Sequence, residues 1–191
     1  MAFIPPPSKM PLFLRMGLWV AKKISRTDLL PAQLLAWYPK AAVSSAVLEG
    51  LIAHGDKNLD ERILKMVRLA VSFTTVCPFC IDMNSAGWEK HISADEIAAI
   101  QGRKSIHEIP SFTTRESLAI QYARLISSTP LGFPPAFVAE LKENFSEREM
   151  VILATTAAQV NYWTRLIQAL GCPPAGYSGT DFYLDLPGKS S

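Results

Sequence analysis

The chain has 191 residues, 49% hydrophobic and 19% charged, with mean hydropathy +0.15 and formal net charge +2. This composition excludes a disordered chain, and no basic run longer than Lys22-Lys23 is present to attract nucleic acid. The length suits roughly one domain with its own core, and the low charge fraction leaves apolar surface that another subunit could cover. Three cysteines are too few for a disulfide scaffold, and they supply no four-ligand zinc set. No secretory signal is evident. A reducing, cytoplasmic setting is therefore expected, where a nearby cysteine pair is redox-active or metal-binding before it is structural.

The first ten residues are Pro-rich and read as an extended arm. Met10 to Ile24 is an apolar helix with Lys22 and Lys23 near its end, where cations suit the helix dipole. It is too short to span a bilayer and is expected to pack on the core or on a subunit partner, not on a membrane. A second helix runs from Lys40 to Ala53. Four capping signatures follow: Asn58 with Glu61, Ser93 with Glu96, Thr113 with Glu116, and Ser146 with Glu149. In each, a polar cap and a Glu three residues later satisfy backbone N–H groups left free at a helix start. They predict helices over 59–74, 94–101, 114–128 and 147–169. Another helix begins near Cys77, and Pro134-Pro135 opens a shorter one. No alternating apolar pattern suggests a sheet. The expected fold is all-α, with an arm and apolar helix over 1–29, one helical domain over 30–175 and an irregular tail over 176–191.

The chemistry centres on Val76-Cys77-Pro78-Phe79-Cys80-Ile81-Asp82-Met83-Asn84. Pro78 suits the first helical position, which makes Cys77 the cap and puts Cys80 in the first turn. Unpaired N–H groups and the positive end of the dipole stabilise a thiolate there. Two sulfurs three residues apart can also close a disulfide. The bland alternative is a pair of small buried cysteines. Cys172 has no expected partner.

Residues Leu59–Ala86, with the CPFC motif at their centre, resemble the alkyl hydroperoxidase D-like (AhpD-like) branch of the carboxymuconolactone decarboxylase family. Two further blocks carry the likeness: Phe112–Ala123 followed by Phe145–Leu153, and Asn161–Gly171. The resemblance implies an AhpD-like helical bundle that forms homo-oligomers, and a dithiol peroxidase activity in members that keep the whole site. It implies Cys80 as the attacking thiol and Cys77 as the resolving one. Two relay positions depart from the family pattern: Asn84 stands where that branch has His, and Lys65 where it has Glu. Asn84 can orient a group but cannot act as a base. Lys65 could lower a thiol pKa if it reaches the site, or it belongs to a solvated basic stripe with Arg62 and Arg68.

No other residue is an obvious substitute base. Asp82 lies on another face of the helix from Cys80. His91 is too far along the chain, and His54 and His107 fall in expected loops. Tyr122, Tyr162 and Trp163 are expected to pack in the core. The leading expectation is a thiol-dependent oxidoreductase of peroxidase type, with a small peroxide as substrate, an external dithiol as reductant, and no organic cofactor or metal. A noncatalytic helical scaffold is one alternative. The other is a lyase or isomerase acting on a small lactone or carboxylate, with Arg68, Arg115 or Arg165 as an anion clamp.

Overall fold

The computed structural model describes residues 2–25, 28–51, 59–179 and 182. Among these residues the regular structure is helical: α1 (Leu12–Ser25), α2 (Leu30–Leu35), α3 (Pro39–Leu51), α4 (Glu61–Thr74), α5 (Pro78–Ser85), α6 (Ala94–Ile100), α7 (Thr114–Ser127), α8 (Pro135–Asn144) and α9 (Glu147–Ala169). Two short 3₁₀ helices, Trp88–Lys90 and Ile106–Glu108, connect α5 to α6 and α6 to α7. No described helix is long and apolar enough to cross a membrane.

The chain is organised around α4, which packs on α5, α6, α7 and α9. Its buried residues run from Ile63 to Phe73. Met66, Leu69, Ala70 and Val71 are fully buried, and Ile120, Leu153 and Ala157 of α7 and α9 close over them.

Three of the expected capping boxes form in full, at Ser93 with Glu96, Thr113 with Glu116 and Ser146 with Glu149. Each Glu has a second task. Arg62 on α4 donates from Nε to Glu116 at 2.6 Å and from Nη2 to Glu96 at 2.7 Å, so one guanidinium holds the starts of both α6 and α7. Its Nη1 also donates to the carbonyl of His91. Arg115 on α7 repeats the device by donating to Glu149 at the start of α9. These carboxylates are nearly buried, where a charge-assisted, multiply bonded pair resists separation.

At the start of α4, Asp60 is the cap, its carboxylate accepting the Arg62 N–H at 2.9 Å. Asn58 lies outside the described residues, as does His54. The helix expected over Lys40–Ala53 is described as Pro39–Leu51, and residues 52–58 lie outside the described residues. α2 was absent from the pattern because its six residues are too few to display a helical period, although Pro31 opens it.

The basic stripe is not solvated. Arg62 is paired as described, Lys65 and Arg68 are half-buried, and burial lowers the pKa of both. Among its described side chains, α1 buries only Leu14. Leu12, Phe13, Met16, Trp19 and Val20 point outward, so the helix leaves most of its apolar residues off the core.

The Arg62 clamp sets a pH dependence. Burial alone would raise the Glu96 pKa, but its bonds from Arg62, Ser111 and the Ser93 N–H hold it down at about 2. A depressed folded pKa adds stability that is complete above the unfolded value of about 4.3 and is lost as pH falls toward 2. Arg62→Met should cost about 3 kcal/mol and move the acid-unfolding midpoint to higher pH. Urea and acid titrations followed by circular dichroism check both shifts.

Candidate functional site

The cysteines are placed by the way two helices end. After α4, Thr75 is the C-cap, Val76 turns left-handed at φ 51°, and Cys77 follows. The Val76 N–H donates to the carbonyl of Phe73 and the Cys77 N–H to that of Ser72. This is the Schellman arrangement, with a β-branched residue where glycine is favoured. α9 ends in the same way: Gly171 is left-handed at φ 65°, the Gly171 N–H donates to Gln168, and the Cys172 N–H donates to Ile167. The left-handed backbone favours glycine at 171, and a Cβ there would meet the ring of the exposed Phe3 at 2.6 Å and force it to shift. The two endings lie side by side, joined by the Gln168 amide donating to the carbonyl of Thr75 at 3.3 Å. Thus Cys77 and Cys172 occupy equivalent positions on adjacent helix ends.

Cys77 also begins α5. Pro78 takes the first helical position, and the Cys77 sulfur accepts the Cys80 N–H at 3.4 Å. The two sulfurs stand 2.7 Å apart in a hydrogen bond, without a covalent bridge. Both side chains are buried, at 0% and 1% exposure. The backbone donors point to Cys77. Its hydrogen bond with Cys80 lowers its pKa, and the Cys80 and Phe79 N–H groups add to this against the cost of burial. The same hydrogen bond, with burial, pushes Cys80 up and keeps it protonated. These directions favour charge on Cys77, whereas the family resemblance made Cys80 the attacking thiol.

Around the pair lies a small apolar cluster formed by Leu34, Phe79, Ile167 and Cys172, bordered by Leu30, Met83, Trp163 and Tyr177. Tyr177 meets Phe79 edge-on at 5.9 Å. Its hydroxyl oxygen is buried and has no hydrogen-bond partner among the described residues. Asp82 holds this wall in place. Its carboxylate accepts the N–H groups of Ala175, Gly176 and Ser178, and the Ser178 hydroxyl, at 2.7–3.0 Å. Burial raises the Asp82 pKa, and these donors overcome that and lower it. The segment from 175 to 178 is therefore fastened across the helix that carries the cysteines, spanning the boundary drawn from sequence at 175.

The other expected residues are placed differently. The Asn84 amide donates to the Ser72 hydroxyl at 2.9 Å, which in turn donates to the carbonyl of Arg68, so Asn84 ties α5 to α4. Lys65 donates to the carbonyl of Ala86 at 2.8 Å, capping the far end of α5 from Cys77. It is not a cation beside the thiols. His91 and His107 are exposed. Arg115 pairs with Glu149 and Arg165 is exposed, so neither joins Arg68 in an anion clamp. Tyr122 packs on Phe133 and Phe137, away from the cysteines. Tyr162 is 39% exposed and bonds Ser45 at 2.6 Å. Trp163 borders the cysteine cluster and donates to Glu49 at 2.8 Å. Among the described residues no group of three His, Cys, Asp or Glu side chains is placed to hold a metal ion.

Two substitutions test this construction. Val76→Gly should stabilise the chain by about 1 kcal/mol, because the left-handed backbone costs about 1–2 kcal/mol at a residue with a Cβ. Asp82→Ala should cost about 3 kcal/mol by leaving the 175–178 N–H groups without their carboxylate. Thermal and urea unfolding measure both. Limited proteolysis of Asp82→Ala should show first cleavage after residue 172.

No family model matches the chain. It is 25% identical over 174 residues to the uncharacterized protein YnjA of Escherichia coli K12, covering 91% of this chain and 94% of that one. Among solved structures it resembles an AhpD core, an uncharacterized peroxidase-related protein of Ralstonia eutropha JMP134. The TM-score is 0.71 at 15% identity, over 95% and 94% of the two chains. It also resembles the debrominase Bmp8, with TM-score 0.74 at 15% identity over 88% and 89%. The helical architecture and these similarities together give the chain the AhpD-like fold.

Proposed function

We propose that the protein is a dithiol oxidoreductase that reduces small organic hydroperoxides. The observation that carries this reading is the buried Cys77–Cys80 pair, with sulfurs 2.7 Å apart and the backbone donors directed at Cys77. The peroxidase-related structure with the same fold adds support. The walls of the site are apolar, and a buried Tyr177 hydroxyl is open to a polar ligand atom. Such a lining favours an alkyl hydroperoxide over hydrogen peroxide.

In this mechanism the Cys77 thiolate attacks the terminal peroxide oxygen. The S–O bond forms, the O–O bond breaks, and the leaving alkoxide takes the Cys80 proton to become an alcohol. The Cys80 thiolate then attacks the Cys77 sulfenic acid and expels hydroxide, which solvent protonates. One disulfide, one alcohol and one water result. An external dithiol restores both thiols by exchange, which fits a reducing compartment. Cys80 supplies the proton that an imidazole relay would handle, so Asn84 and Lys65 are not needed for proton transfer.

Peroxide consumption with excess small dithiol tests the proposal. Wild type should prefer an alkyl hydroperoxide, with a rate that reaches half its plateau below the ordinary thiol pKa of about 8.5. Cys77→Ser should abolish turnover, and Cys80→Ser should slow the first step on the order of 10²-fold through loss of its proton donor. Equal rates in wild type and the double Ser variant would overturn the reading. If the dithiol instead reduces a halogenated ring, as the likeness to a debrominase raises, peroxide will fail while halide is released.

We further propose that the active form is a homo-oligomer. The outward apolar residues of α1 and the exposed Trp37, Tyr38, Val43 and Val47 are apolar surface that a second copy could cover. Sedimentation at micromolar concentration should show assembly, and Met16→Glu with Trp19→Glu should disperse it. A stable wild-type monomer would contradict this.

A further inference from the structure

We propose that Cys172 is a third redox thiol of the site, which takes the disulfide from the buried pair and carries it toward the surface. The proposal rests on the dithiol reading above for its oxidised state, and on the cysteine cluster for its geometry.

Cys172 lies in the same apolar cluster as Cys77 and Cys80. It stands at the position after the left-handed residue on α9, as Cys77 does on α4, and the Gln168–Thr75 bond holds these two helix ends together. Its thiol is raised by burial and by the charge on Cys77, which places the two within electrostatic reach. It is 8% exposed against 0% for Cys77 and 1% for Cys80. Among the described residues the inner pair is closed to a bulky dithiol, and Cys172 is the most exposed of the three cysteines. It also begins the segment that Asp82 fastens at 175–178, so it sits at the root of a piece of chain whose release would swing it.

The step is an exchange with no net oxidation. Cys172 gives up its proton and its thiolate attacks the Cys77 sulfur of the Cys77–Cys80 disulfide. The Cys77–Cys172 bond forms, the Cys77–Cys80 bond breaks, and the departing Cys80 thiolate takes a proton. An external dithiol then attacks Cys172.

The test uses the full chain and a diazene dicarboxamide as thiol oxidant, so it does not depend on peroxide turnover. Trypsin leaves Cys77 and Cys80 together in the peptide 69–90 and puts Cys172 in 166–189. A Cys77–Cys80 disulfide therefore closes within one peptide, and an exchanged disulfide joins two. After oxidation and acid quench, wild type should give both species by mass spectrometry. Cys80→Ser should lose both of its remaining thiols to one bond within the chain, linking 69–90 to 166–189. Two persisting thiols in folded Cys80→Ser, or bonds formed only between chains, would overturn the proposal. If Cys80→Ser fails to fold, the absence of the linked peptides from wild type overturns it alone. Linked peptides from a chain inert to peroxide would uphold this inference and sink the peroxidase reading. Peroxide turnover without linked peptides would do the reverse.

Discussion

The site depends on one residue ending one helix and starting the next. Cys77 closes the turn that finishes α4 and caps the first turn of α5. Both tasks fix its backbone, and the second aims N–H groups at its sulfur. The cost is carried by Val76, whose left-handed backbone would suit glycine. Such a turn persists only where the surroundings over-determine it, and here the buried face of α4 and the Asn84–Ser72 bond between α4 and α5 do so.

The electrostatics follow from that geometry. The site uses no imidazole among the described residues, and Lys65 is committed to the other end of α5. What remains is a helix start, a neighbouring thiol and an apolar wall. Burial raises both thiols, and at Cys77 the hydrogen bond with the Cys80 thiol, joined by the backbone N–H groups of Cys80 and Phe79, offsets this, so the charge falls there. Asp82 acts on the same site from a distance. It anchors the chain that carries Tyr177, while Gly171 lets Phe3 close over the end of α9.

Much of the scaffold is legible in the sequence because helix starts have local chemistry. Ser93, Thr113 and Ser146 mark three of them within one residue, and Pro78 with Cys77 marks a fourth. What local pattern lacks is the partner across space. Arg62 reads as one member of a basic stripe, but it joins two capping boxes whose Glu residues are 34 and 54 positions away. Asp82 reads as a carboxylate on an unused helix face, but its partners lie 93 to 96 positions downstream. Cys172 reads as solitary for the same reason. Its only local signal is Gly171 before it, which marks a helix end without showing that another cysteine-bearing end lies alongside. The order of the two thiols was also beyond spacing alone, since a CxxC at a helix start stabilises charge on either sulfur until the donors are located.

The ultraviolet absorbance of thiolate, titrated with pH in wild type, Cys77→Ser and Cys80→Ser, tests the assignment of charge most directly. With the charge on Cys77, wild type develops one equivalent of thiolate below the ordinary thiol pKa of about 8.5. Cys77→Ser loses that equivalent, and Cys80→Ser keeps it at a higher pKa. A signal that survives Cys77→Ser and disappears in Cys80→Ser would contradict it.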